Sequence, residues 1–122
     1  MKINYCPSCY TQELLSYYPF LYNVYIYVAD DEFFDRIGLS DALAATDTKN
    51  IILVRDSLSP RLFRHALFHE SEHISKPLAT ETEVEHEARK KDGFSYRINT
   101  YGLEFEVEMK SNRKSKLPSY IV

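Results

Sequence analysis

The feature that most constrains this chain is the pentapeptide His69-Glu70-Ser71-Glu72-His73. In a helix, two histidines four residues apart stand one above the other and can ligate one metal ion. The glutamate between them can then take a proton from a water at that ion. The flanking residues predict such a helix. Ser59 is a good N-cap and Pro60 a good first helical residue, while Lys76-Pro77 ends the element because the residue before proline avoids helical geometry. At about 100° per residue, Leu62, Phe63, Ala66, Leu67 and Ile74 share one face, with Arg64, Ser71 and Ser75 opposite. His69 and His73 fall at the margin of that apolar stripe, and Glu70 falls near its middle. A carboxylate in the middle of a buried face is costly unless it is paired or put to use. An ordinary amphipathic helix with surface histidines leaves Glu70 unexplained, whereas a catalytic base beside a metal explains it.

The rest of the composition narrows the class. The chain has 122 residues, 44% of them hydrophobic and 27% charged, the balance of a single globular domain. A formal net charge of -3 argues against a general nucleic-acid binder. No apolar run approaches a membrane span, and the first residues do not form a signal peptide, so a soluble cytoplasmic protein without membrane or nucleic-acid partners is expected. Two cysteines form Cys6-Pro7-Ser8-Cys9, a spacing that suits an incidental structural pair, a disulfide or redox dithiol, or half of an intermolecular metal site. Ten Tyr stand against no Trp, a bias to which the sequence attaches no function.

Taken in order, residues 11–18 read as a short helix stopped by Pro19. Residues 20–28 alternate as a strand, with Tyr22, Val24, Ile26 and Val28 on one face and Asn23, Tyr25 and Tyr27 on the other. Asp30-Asp31-Glu32 opens a helical passage reaching Gly38, and residues 40–45 add another turn. Residues 50–55 form a nearly continuous apolar strand leading into the histidine helix. At a sheet edge its free backbone would pair an extended peptide; in the sheet interior it would be core. Thr80 and Thr82 each precede a Glu by three residues, the capping-box pattern, so a second helix begins there and stops at Gly93. Residues 94–109 alternate around an Asn99-Thr100-Tyr101-Gly102 turn, giving a β-hairpin with one charged face. Residues 110–122 form a basic tail, leaving 1–109 as the single domain.

The run Phe63-Arg64-His65-Ala66-Leu67-Phe68 before the pentapeptide, the preceding strand, and the later Glu85-His86-Glu87-Ala88 resemble the zincin metallopeptidases of the ImmA/IrrE type. Those combine a strand and an H-E-x-x-H helix with a downstream E-x-x-A motif whose Glu is the third ligand. The resemblance implies a zinc ion held by His69, His73 and Glu85, with Glu70 as catalytic base. The short gap after His73 keeps Glu87 as an alternative ligand, and Glu81 and Glu83 stand on the same acidic helix. The fold it implies is an α+β, zincin-like domain: a small twisted sheet packed on the H-E-x-x-H helix, a second ligand-bearing helix, and the C-terminal hairpin. The reaction it implies is hydrolysis of peptide bonds in a protein or peptide substrate, with Glu70 passing a proton from water to the leaving amine. Tyr96, Tyr101, His65 and His86 are the candidate donors to the oxyanion. Two other classes stay open: a non-catalytic interaction protein on the same fold, and a thiol redox protein using Cys6 and Cys9.

Overall fold

Alternation of side chains builds the sheet. Ile26 and Val28 face one way with Ile52 and Val54, while Ala29 and Leu53 face the other way and pack with Phe34. In the structure, a computed structural model describing residues 1–93, strand β2 (Tyr25–Ala29) pairs in parallel with β4 (Ile51–Arg55), Tyr25 opposite Ile51 and Ala29 opposite Arg55. Strand β1 (Ile3–Tyr5) joins β2 antiparallel, and β3 (Ala44–Thr46) joins β4 antiparallel. Among the described residues this is a four-stranded sheet in the order β1-β2-β4-β3. Helix α1 (Gln12–Tyr17) is capped by Thr11, and α2 (Asp31–Arg36) by Asp30, each side-chain oxygen accepting from a first-turn amide. Helix α3 (Pro60–Ser75) is capped by Ser59, and α4 (Glu81–Asp92) by Thr80, with a complete capping box to Glu83 and left-handed Gly93 at its end. The domain is α+β. No helix among the described residues is long and apolar enough to cross a membrane.

Two expectations need correction, and one alternative left open is decided. The strand foreseen at 20–28 starts only at Tyr25, because Pro19–Asn23 form a 3-10 turn. Leu21 and Val24, three residues apart, are both buried while Tyr22 is exposed, which is the period of a 3-10 turn and not of a strand. The turn foreseen at 40–45 gives way to β3: Ala44 to Thr46 pair with Val54 to Ile52, so backbone pairing overrides the helical preference of alanine. Of the two placements open for the strand at 50–55, the structure has the interior one: β4 lies between β2 and β3, and its backbone is already paired. The hairpin read at 94–109 and the tail at 110–122 lie outside the described residues.

The loop that leads into β3 hangs on one cation. The Arg55 guanidinium is largely buried and donates to Ala42 O (2.6 Å), Leu39 O (3.0 Å), Ser40 O (2.7 Å) and Asp31 Oδ1 (2.9 Å), lying over the Phe34 ring. At the other end of the sheet Cys6 and Cys9 are joined in a disulfide across a 3-10 turn, with Cys9 packed in the core.

Helix α3 is wrapped. The sheet, through β3 and β4, covers one side and α4 covers another. Every residue from His65 to His73 is buried, including Ser71, which the helical wheel placed toward solvent.

Candidate metal centre

His65, His69 and His73 recur every four residues, so they form a row along α3. The short connection after Lys76 folds α4 back against α3, and Ala79 N donates to Lys76 O (3.0 Å) in that turn. The early residues of α4 therefore meet the end of α3, and its last turn meets the middle. Glu81, Glu85 and Asp92 face the histidine row in that order.

The contacts are close and repeat along the row. Glu81 Oε2 is 2.8 Å from His69 Nε2, and Glu81 Oε1 is 3.0 Å from His73 Nε2. The His73 contact is off the hydrogen-bond direction, so it is an ion-pair distance and not a hydrogen bond. Glu85 Oε1 is 2.6 Å from the other nitrogen of His69, Nδ1, and both Glu85 oxygens lie 3.0 Å from His65 Nε2. Asp92 Oδ2 is 2.6 Å from His65 Nδ1, and Arg89 Nε donates to Glu85 Oε2 at 2.7 Å.

A neutral imidazole has one N–H and one lone pair. His65 and His69 each present carboxylate oxygens to both ring nitrogens, so each needs either a second proton or another cation at one of them. In the protein without metal, burial by itself lowers the His69 pKa, but Glu81 and Glu85 outweigh it and raise the ring to about 10. His65 is raised as well, burial opposing and Glu85 and Asp92 prevailing. The partners answer in kind. Burial would raise Glu81, yet His69 and His73 hold it near 2, and Glu85 is held well below the usual carboxylate range against its burial by His65 and His69.

Glu70 is the exception. It is fully buried, and neither carboxylate oxygen has a hydrogen-bond partner among the described residues. Burial pushes its pKa up to about 8, with only partial relief from His69. Glu72, the other glutamate of the motif, is equally buried but well held: Tyr18 Oη donates to it at 2.6 Å, Lys91 Nζ pairs with it, and Lys76 Nζ is 3.5 Å away.

His69 and His73 thus stand together with a shared carboxylate, and that carboxylate is Glu81. Glu85 reaches His69 from the Nδ1 side and shares it with His65. Glu87 is paired with Lys90 instead (3.5 Å). Of the four candidate oxyanion donors, His65 is engaged with Asp92 and Glu85, His86 is exposed, and Tyr96 and Tyr101 lie outside the described residues. Asp92 was not foreseen, although it sits seven residues past Glu85 and so on the same helix face.

The donors fit a metal. The ligand atoms of His69, His73 and Glu81 lie within 4.8 Å of one another, and so do those of His65, His69 and Glu85. Two imidazoles and a carboxylate are a suitable donor set for zinc, and the unpartnered Glu70 follows directly after the first histidine of the motif. Comparison with known protein families, with curated proteins and with solved structures finds no match for the chain.

Proposed function

We propose that this protein is a zinc-dependent metallopeptidase of the zincin type that the motif resembles. His69 and His73 hold the ion through Nε2, Glu81 is the third ligand, and Glu70 is the catalytic base. The single observation that carries this reading is the pairing of two features. One carboxylate meets the Nε2 atoms of both motif histidines. Beside it, a fully buried Glu70 has no partner among the described residues. Glu81 is preferred to Glu85 as third ligand because Glu85 contacts only the far nitrogen of His69. There Glu85 accepts the Nδ1 proton and leaves the Nε2 lone pair facing the ion, the usual carboxylate support of a ligating histidine.

The roles of the chain's own residues follow. Glu70, high in pKa and unpartnered, has no competing hydrogen bond and is free to take a proton from the attacking water and pass it to the leaving amine. A nearby dication favours its charged form, which a base requires. Bound zinc supplies acidification of the water and polarisation of the scissile carbonyl. Strand β3 packs on α3 and, among the described residues, pairs on one side only, so it is the strand along which an extended substrate would add.

Metal content tests the reading. Protein purified without chelator should carry about one zinc ion per chain by mass spectrometry, and the His69→Ala protein about none. A folded parent that takes up no zinc would overturn it. A parent that holds zinc through His69 but cleaves no peptide would instead favour the non-catalytic interaction protein.

A further inference from the structure

Beside the proposed site stands a second set of metal-capable atoms, His65 Nε2, His69 Nδ1 and Glu85, of which the first reading uses the latter two only as support. We propose that these three form a second metal position, one helical turn along α3 from the first and sharing His69 with it, which takes the same class of ion, a divalent zinc-like cation. Their ligand atoms lie within 4.8 Å of one another. Glu85 Oε1 is the point of convergence, 3.0 Å from His65 Nε2 and 2.6 Å from His69 Nδ1.

This position has its own supporting groups. Asp92 Oδ2 lies 2.6 Å from His65 Nδ1, and both of those side chains are 0% exposed. With the proton on Nδ1 and donated to Asp92, His65 aims its Nε2 lone pair at the Glu85 carboxylate. Two electron-rich groups then face each other at 3.0 Å, an arrangement that a second ring proton satisfies in the protein without metal and that a divalent ion bound between them satisfies in its place. Arg89 fixes the other Glu85 oxygen, Oε2, at 2.7 Å.

The two positions exclude each other. A neutral His69 offers one lone pair. With the ion on Nε2, beside His73 and Glu81, the ring proton sits on Nδ1 and is donated to Glu85. With the ion on Nδ1, beside His65 and Glu85, the proton sits on Nε2 and is donated to Glu81. Ion and ring proton exchange places while each carboxylate switches between ligand and acceptor. The chain therefore binds one ion, distributed over two positions. The inner one is the more enclosed, with Glu85 20% exposed against 38% for Glu81, so it suits storage of the ion better than hydrolysis.

This inference shares His69 with the proposed active site, so the test separates the two by nitrogen atom. Histidine long-range 1H–15N spectra of the zinc-loaded protein show which ring nitrogen carries the ion. His73→Gln removes a ligand of the outer position only. It should still bind about one zinc per chain, with the metallated nitrogen of His69 now Nδ1 and that of His65 Nε2. His65→Gln should bind zinc at His69 Nε2. If His73→Gln does not fold, Glu81→Ala, in the first turn of α4, carries the same expectation. A folded His73→Gln or Glu81→Ala protein holding no more zinc than His69→Ala would overturn the inner position. Zinc retained on Nδ1 in His73→Gln but lost in His65→Gln would support the inner position and overturn the ligand set of the proposed active site.

Discussion

Two glutamates of one pentapeptide are buried alike and partnered oppositely. Glu72 is clamped by Tyr18, Lys91 and Lys76, whereas Glu70 has no partner among the described residues. Glu72→Ala should destabilise the protein by about 3 kcal/mol in chemical denaturation, since it strands Lys91 and the Tyr18 hydroxyl. Burial alone would raise the Glu72 carboxyl, but Lys91 and Tyr18 outweigh it and hold the folded pKa below the ordinary 4.5. Its contribution is therefore fully present above pH 4.5 and is lost as pH falls through the lower folded value. A Glu72→Gln protein should accordingly show a shallower loss of stability below that pH than the parent. Glu70→Gln should keep or gain stability in the same denaturation assay, because a neutral amide is cheaper to bury than a charge. The burial of Glu70 was legible in the sequence from helical phase alone. The role of Glu72 was not, because its partner Tyr18 is 54 residues away and nothing local announces the contact.

At the scale of elements, the site is a helical hairpin. Helix α3 supplies the histidine row and α4 the carboxylates, and the capping box at Thr80 fixes where α4 begins and hence which glutamate meets which ring. Thr80→Ala should cost about 1 kcal/mol in thermal or chemical unfolding. Glu85→Ala should lower zinc affinity by roughly 10- to 100-fold in chelator competition, as loss of a histidine-orienting carboxylate does. Glu87→Ala, whose ion-pair partner among the described residues is Lys90, should leave zinc affinity unchanged. Both helices were legible because their caps and stops are local: Ser59 and Pro60, Thr80 and Glu83, Gly93. Which glutamate meets both motif histidines was not, since 81 and 85 lie one turn apart on the same face, and only the docking of α4 brings Glu81 to both rings. Strand β3 was hidden for a related reason. Its short alanine-rich sequence has no strand signal of its own, and pairing with β4 creates it.

Across the whole molecule, the histidine–carboxylate cluster lies between α3 and α4 while the disulfide closes a turn after β1, so the two should be separable. Replacing Cys6 and Cys9 by Ser should leave zinc content unchanged and lower stability by at most about 2 kcal/mol, as the loop closed is very short. Loss of zinc in that variant would place the metal at the N-terminus. The central claim is that Glu70 is the base of a hydrolytic zinc site. Its most direct test is to incubate the zinc-loaded parent and the zinc-loaded Glu70→Gln protein with the same cell extract and compare the new peptide termini by mass spectrometry. The parent should generate a defined set of termini, and Glu70→Gln should generate the same set about 100- to 10,000-fold more slowly with its zinc content unchanged. Equal rates of appearance of the same termini from both proteins would contradict the claim.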